Sequence, residues 1–226
     1  MQTLRRVFTV AHKDLRSELR SKEAINASFS FALVILLIFS FAFDPTAEDT
    51  RRIAGGLLWV VFAFAGALIL NRSFAREVPN DCLDALIAAP IPAYALFLGK
   101  AVASFLLLLA VELVCLPIFG IFYNVRWAVQ FLPLLLTLAL GTWAMTMIGT
   151  AFSALTVNIR LRELMLPVLL YPVLMPALIG AIELTTNLLN GETLSGNNIT
   201  FLKLLIGFDI IYTALSVALI ETVLVG

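Results

Sequence analysis

Residues 51–100 read RRIAGGLLWVVFAFAGALILNRSFAREVPNDCLDALIAAPIPAYALFLGK. The stretch opens with an apolar run over about 53–70, which is close to the roughly 20 residues that an α-helix needs to cross about 30 Å of hydrocarbon. A polar segment follows, and a second apolar run begins at about residue 93. Membrane-length apolar runs that alternate with polar segments predict a multi-pass helical membrane protein.

The same alternation continues along the whole chain. Of its 226 residues, 61% are hydrophobic and 13% charged, whereas soluble domains are about 45–50% apolar. The apolar runs lie at about 24–43, 53–70, 93–121, 130–155, 164–188 and 201–226. We therefore predict an all-α integral membrane fold, with one permease domain of six transmembrane helices at 24–226 and a separate amphipathic helix at 1–23.

The basic residues predict the orientation of the chain. If the N-terminus is cytoplasmic, 11 of the 15 basic residues lie on the cytoplasmic side, namely Arg5, Arg6, Lys13, Arg16, Arg20, Lys22, Arg72, Arg76, Lys100, Arg160 and Arg162. The positive-inside rule then places both termini in the cytoplasm. The net charge is zero, so the whole molecule has no general attraction for nucleic acid.

The first 23 residues have the pattern of an interfacial helix. One stripe of this segment carries the apolar residues Leu4, Phe8, Ala11, Leu15 and Leu19, and the basic residues lie elsewhere. Such a helix lies on an anionic membrane surface. The alternative is a solvated basic tail that only obeys the positive-inside rule.

The segment after Arg72 predicts a short helix outside the membrane. Asn80 or Asp81 can cap it, Leu83, Leu86 and Ile87 form one apolar side, and the sequence Ala-Pro-Ile-Pro ends it. Its charged rim consists of Arg76, Glu77, Asp81 and Asp84. A half-apolar helix of this kind suits a groove on a soluble partner, and it equally suits packing against its own bundle.

Catalytic and cofactor-binding motifs are missing from the sequence. Its one histidine is His12, the two cysteines Cys82 and Cys115 are far apart, and neither H-E-x-x-H nor G-x-S-x-G occurs. Gly99 and Lys100 are followed by Ala101, so they are not part of a phosphate loop. We predict that the chain is not an enzyme and binds no metal or cofactor, and that its energy comes from a partner or an ion gradient.

Acidic residues occur inside the apolar runs. A charge at the centre of a membrane helix costs about 2.5–3.5 kcal/mol, so these side chains should avoid lipid. Three of them fall in the outer half of the predicted bundle, namely Glu112, Glu183 and Asp209. They can line a cavity or a proton path, as in a proton-coupled secondary transporter. Alternatively, each is held by a local hydrogen bond or reaches interfacial water.

The fifth apolar run carries Pro167, Pro172 and Pro176. Each proline removes a backbone donor, which predicts a bent or broken helix. A break would suit gating in a transporter, but prolines are also common in membrane helices without such a role.

The 51–100 stretch resembles the coupling region of ABC-2 export permeases, in which R-E, a D-x-L-x-x-L helix, a P-x-P-like stop and G-K follow one another. It is more closely similar to the cytochrome c maturation protein B family, the membrane subunit of a bacterial haem-exporter ABC complex. The resemblance continues at 150–179, TAFSALTVNIRLRELMLPVLLYPVLMPALI. One departure is Cys82, or a neighbour, where the family often has glycine at the start of the coupling helix.

The resemblance implies a permease subunit in the bacterial inner membrane, which forms a homodimer within its complex. Its partners would be a soluble CcmA-like ATPase, which carries the ATP, and CcmC-like and CcmD-like haem-handling subunits. The implied ATPase-coupling residues are Arg76, Glu77, Asp81, Leu83, Asp84, Leu86 and Pro90, together with Arg160, Arg162 and Glu163 on the second cytoplasmic loop.

The residue inventory bears on whether haem is held by this chain. Haem iron takes His, Met, Cys or Tyr ligands, and haem carries two propionates. The only histidine lies in the N-terminal helix and no basic residue lies inside a span, so the sequence predicts no haem site. Either haem passes through a dimeric pathway, or the chain transmits ATP-driven movement that releases a haem-loaded protein from a neighbour. We favour the second, and a non-transporting assembly subunit is a further alternative.

Overall fold

The computed structural model describes residues 2–45, 47–78, 82, 86, 91–125, 127–157, 159 and 161–224. Within them, the helices are α1 (Gln2–Ser21), α2 (Glu23–Ala42), α3 (Glu48–Ala75), α4 (Ala93–Phe122), α5 (Phe131–Thr156), α6 (Arg162–Leu189) and α7 (Asn197–Leu224). No strand occurs in these ranges. Helices α2 to α7 are each long and apolar enough to cross a membrane. The prediction of an all-α fold with six spans is confirmed.

Short connections make successive spans run in opposite directions. The start of α2, the end of α3, the start of α4, the end of α5 and the start of α6 therefore lie at one end of the bundle, together with α1. We call this the α1 end. The turn between α1 and α2 is a single residue, Lys22, in the left-handed conformation with φ 57°. This sharp turn lets α1 fold back across α4, against which it packs.

Helix α6 packs against α3, α5 and α7. Its buried face is an apolar stripe formed by Leu166, Leu170, Leu174, Ala177, Ala181, Leu184 and Leu188. This stripe repeats at three- and four-residue intervals, as expected for one continuous helical face.

The three prolines of α6 do not break it. The helix runs without interruption from Arg162 to Leu189, so of the bent or broken fifth span that the prolines predict, the break does not occur. Pro172 and Pro176 are exposed and Pro167 is half-buried, which places them away from the buried stripe. Packing of that stripe against three neighbouring helices maintains the helix despite the missing backbone donors.

Trp59 joins three helices in the core. Its ring leaves no room for a side chain at Gly141 on α5, and its indole Nε1 donates a hydrogen bond to Thr185 Oγ1 on α6 over 2.9 Å. Buried tryptophan normally satisfies its N–H in this way. The contact fixes α3 against both α5 and α6.

Helix α1 approaches α4 closely at Gly99. A Cβ atom at this position would lie 2.6 Å from Val10 Cβ and 2.9 Å from the Val7 carbonyl oxygen. Val10 and Ala11 are buried in this contact, whereas the apolar side chains of Leu4, Phe8 and Leu19 are exposed. The apolar residues of α1 are thus divided between a face that packs on the bundle and a face that is available to a membrane surface.

We expect Gly99→Ala to weaken the docking of α1. The added methyl group forces α1 away from α4, and overpacking of this kind typically costs about 1–3 kcal/mol. Faster proteolytic cleavage within α1 and a lower melting temperature in detergent would show the effect. Gly207→Ala is the matched control, because a Cβ atom there meets no atom within 4 Å. Equal behaviour of the two variants would contradict the close approach.

Candidate functional site

A buried lysine lies at the α1 end of the bundle. Lys100 is the eighth residue of α4 and only 1% exposed. Its ammonium donates to the Ser73 carbonyl oxygen at 2.9 Å, Glu77 Oε1 at 3.0 Å and Asp14 Oδ2 at 3.2 Å. These contacts use all three of its donors. The expectation that no basic residue lies inside a span is therefore wrong for Lys100, which α1 and α3 cover.

Lys13 adds a second cation to this cluster. Its ammonium lies 2.5 Å from Glu77 Oε1 and 3.1 Å from Asp14 Oδ1. Burial opposes the charge on Lys13, but Glu77 and Asp14 outweigh it and raise the pKa of Lys13 above its ordinary value. Burial likewise opposes the charge on Glu77, but Lys100 and Lys13 hold the pKa of Glu77 below its ordinary value. The pKa values of Lys13 and Glu77 thus move in the directions that favour the charged form of each.

Glu18 connects the cluster to the start of α2. Its side chain is fully buried, and Oε1 accepts the backbone N–H groups of Ala24 at 2.7 Å and Ile25 at 3.1 Å. A carboxylate at these positions satisfies free donors of the first turn and favours the helix dipole. The other oxygen of Glu18 forms an ion pair with Arg76. The last residues of α1 therefore cap α2 and bind the end of α3.

We call these six charged residues the clamp: Lys13, Asp14, Glu18, Arg76, Glu77 and Lys100. All of them except Lys100 line a cavity of about 210 Å³ between α1, α3 and α4. Glu77 immediately precedes the connection at 78–92 and Lys100 follows it by eight residues. The clamp therefore joins the two ends of this connection to each other and to α1.

The predicted coupling residues are distributed around the clamp. Arg76 and Glu77 belong to it, and Arg162 and Glu163 lie in the first turn of α6 at the same end. Cys82 and Leu86 have helical conformation. The other predicted residues lie outside the described part of the chain, namely Asp81, Leu83, Asp84, Pro90 and Arg160.

The intramembrane acids lie on three different helices. Glu112 on α4 is fully buried, and the Thr142 hydroxyl on α5 lies 2.8 and 2.6 Å from its two carboxyl oxygens. Asp209 on α7 is buried, and no hydrogen bond to its carboxyl oxygens is found among the described residues. Glu183 on α6 is exposed. No hydrogen bond within the described part of the chain joins any two of these acids. Glu112 instead has a local hydrogen bond with Thr142, which is the predicted alternative to a proton path.

A family model described as CcmB protein matches residues 5–223, which is nearly the entire chain. The chain belongs to the CcmB family.

Characterised relatives of this CcmB-family chain have a common name, heme exporter protein B. The Rhodobacter capsulatus protein is 34% identical over 76% of this chain and 78% of its own length. The Paracoccus denitrificans protein is 31% identical over 76% and 78%, and the Haemophilus influenzae protein is 30% identical over 76% and 77%. The resemblance to the cytochrome c maturation protein B family is confirmed.

The sequence identified two of the six clamp residues, Arg76 and Glu77, as site residues. It did not identify their partners, which are Lys13, Asp14, Glu18 and Lys100. One signal was present: Asp14 and Glu18 are the only acids among the first 22 residues and are four residues apart, hence on one helical face. Lys100, a single cation early in an apolar run, was the second signal.

We expect Lys100→Met to destabilise this CcmB protein strongly. It leaves the carboxylates of Asp14 and Glu77 without their buried partner, and breaking a buried ion pair typically costs about 3–5 kcal/mol. Thermal unfolding in detergent, followed by circular dichroism, measures the loss. Arg52→Met is the control, because it breaks the exposed Arg52–Glu48 pair (2.7 Å) at the opposite end, worth about 0–1 kcal/mol. An equally small effect of both substitutions would contradict the clamp.

The lowered pKa of Glu77 predicts a dependence of stability on pH. A carboxylate whose pKa is depressed by folding adds stability above its ordinary value of 4.5, and this is lost as the pH falls through its value in the folded chain. The melting temperature of wild type should exceed that of Glu77→Gln at pH 6–7, and the two should converge as the medium is acidified below about pH 4. A constant difference between them would argue against an ionised Glu77.

Proposed function

We propose that the chain is the membrane permease subunit of an ABC-type complex that handles haem during c-type cytochrome biogenesis. Membership of the CcmB family and relatives named heme exporter protein B support this proposal. ATP hydrolysis takes place on a separate soluble subunit, and the permease converts it into movement in the membrane. The observation that carries the proposal is the clamp, which ties both ends of the 78–92 connection to α1.

The clamp gives coupling a physical route. In this proposal the ATPase subunit docks on the 78–92 connection, of which Leu86 is part. A force on that connection reaches α3 through Glu77 and α4 through Lys100, and α1 follows through Asp14. Separating these buried charges would leave each of them unpaired in a low-dielectric site, which is energetically costly. The three helices that carry them therefore move together. The docked connection thus drives a rigid-body displacement of three helices.

The charge distribution supports the proposed orientation, and membership of the family supports the proposed partners. The chain lies in the bacterial inner membrane, with the α1 end and both termini in the cytoplasm. This places the 78–92 connection, Arg162 and Glu163 where a CcmA-like ATPase reaches them. CcmC-like and CcmD-like subunits complete the complex, and the permease is present as a homodimer.

Within this complex, the chain acts as a transmitter that frees haem-loaded protein from a neighbouring subunit. The clamp supports this role, because its charged groups are bonded to one another and none of its members is a histidine, methionine, cysteine or tyrosine, the usual axial ligands of haem iron. Stoichiometric tight binding of haem to the purified subunit would overturn the role and leave a haem pathway through the chain.

We expect Leu83→Asp combined with Leu86→Asp to abolish co-purification with the ATPase subunit and its ATP turnover in the complex, because two carboxylates replace the apolar side of the docking helix. The matched control is Val129→Asp combined with Leu132→Asp, two exposed apolar residues at the opposite end of the bundle. This control should retain the complex. If wild type binds no ATPase subunit, or if both double variants behave alike, the coupling function is refuted.

A further inference from the structure

A cleft with one charged edge opens between α2, α3 and α6. Its volume is about 660 Å³. Arg72 and Arg76 at the end of α3 and Arg162 at the start of α6 lie at its α1 end. Phe31 of α2 and Phe64 of α3 line the cleft farther into the bundle. Phe31 is eight positions from Glu23, the first residue of α2, and Phe64 is eight positions from Arg72 in the last turn of α3, which corresponds to about 12 Å at 1.5 Å per residue.

Among the described residues, Arg162 is the one cation of the charged edge without an ion pair, and Glu163 lines the same edge. Arg72 donates to Glu23 over 2.8 Å, and Arg76 is paired with the buried Glu18. Arg162 forms no ion pair or side-chain hydrogen bond with the described residues, although Glu163 is its neighbour in the chain. It also occupies the first turn of α6, where the helix dipole disfavours a positive charge. A negatively charged ligand would pair with the Arg162 guanidinium and would offset the unfavourable interaction of its charge with the helix dipole.

A buried acceptor lies at the same edge. The side-chain oxygen Oδ1 of Asn71, a residue that lines the cleft, has almost no solvent-accessible surface and no hydrogen-bond donor among the described residues. Buried polar atoms are normally satisfied, and an unsatisfied one calls for a partner. A ligand at this edge therefore suits the site best if it brings an anionic group for Arg162 and a hydroxyl donor for Asn71.

The deeper wall is apolar and aromatic. The rings of Phe31 and Phe64 meet edge to face with centroids 5.9 Å apart, and both side chains are partly exposed to the cleft or to lipid. Leu164 and Pro167 of α6 face them across the cleft. An acyl chain can pack against an apolar wall of this kind, whereas a small inorganic anion bound at the charged edge would not contact it.

We propose that this cleft binds an anionic phospholipid from the leaflet at the α1 end. The phosphate lies at Arg162 with Arg72 beside it, a headgroup hydroxyl donates to Asn71 Oδ1, and one acyl chain follows Phe31 and Phe64. Basic pockets between membrane helices bind anionic headgroups in this manner. Among the described residues that line the cleft there is no histidine, methionine, cysteine or tyrosine, so a phospholipid suits it better than haem, another amphiphilic anion.

Native mass spectrometry of the delipidated full chain tests the proposal. Phosphatidylglycerol and phosphatidylcholine with identical acyl chains are titrated in separate samples, and we expect tighter binding of phosphatidylglycerol. Arg162→Gln should weaken phosphatidylglycerol binding about fivefold, as expected for roughly 1 kcal/mol per arginine at a membrane surface. Arg52→Gln, which removes the same charge at the opposite end, should leave it unchanged.

Two results would overturn the proposal. One is equal affinity of wild type for the two lipids, a comparison that needs no variant to fold. The other is an equal effect of Arg162→Gln and Arg52→Gln, which would show that phosphatidylglycerol responds only to total charge. A haem titration of the phosphatidylglycerol-loaded chain separates the two anionic ligands. Retention of the lipid supports the proposal, whereas its displacement by haem would identify the cleft as a haem site.

Discussion

The burial of Lys100 is the constraint on which the α1 end of the bundle depends. An ammonium group that is 1% exposed needs acceptors for its three donors, and these come from α1 and from the end of α3. The preceding residue makes this possible: Gly99 lacks a side chain, so α1 can approach near enough for Asp14 to reach the ammonium. Gly99 thus leaves room for α1, and Lys100 binds α1 through Asp14.

This arrangement makes α1 a part of the bundle instead of a loose tail. Its inner face combines the clamp residues with Val10 and Ala11, and Glu18 at its end caps α2. Its outer face keeps Leu4 and Phe8 exposed. A helix that is bonded on one side and apolar on the other can rest on a membrane surface while it moves together with α3 and α4.

Hydropathy predicted the six spans because a helix in lipid must satisfy its own backbone and match the thickness of the hydrocarbon, and both are local properties of the sequence. The clamp could not be predicted in the same way, since it joins Asp14, Glu77 and Lys100 across 86 positions. The family resemblance marked Glu77 and placed Lys100 in a G-K motif, but it did not show that the two are bonded. The prolines of α6 suggested a break, but it is the buried leucine stripe, packed by three neighbours, that determines the course of this helix.

Hydrogen bonds inside the bundle argue that the spans of one chain move as a unit. Five side-chain hydrogen bonds link four neighbouring pairs of helices, from Trp59 to Thr185, Thr142 to Glu112, Trp143 to Thr213, Tyr171 to the Ala63 carbonyl and Tyr212 to the Val173 carbonyl. Such bonds are worth about 0.6–2 kcal/mol each in a membrane. Together these bonds link α3, α4, α5, α6 and α7 into one connected set, and α2 joins this set through the ion pair of Glu23 with Arg72. Under the proposed coupling, a displacement that begins at the clamp would therefore move the chain against its neighbours more easily than it would open a path within it, which is the behaviour that a release subunit needs.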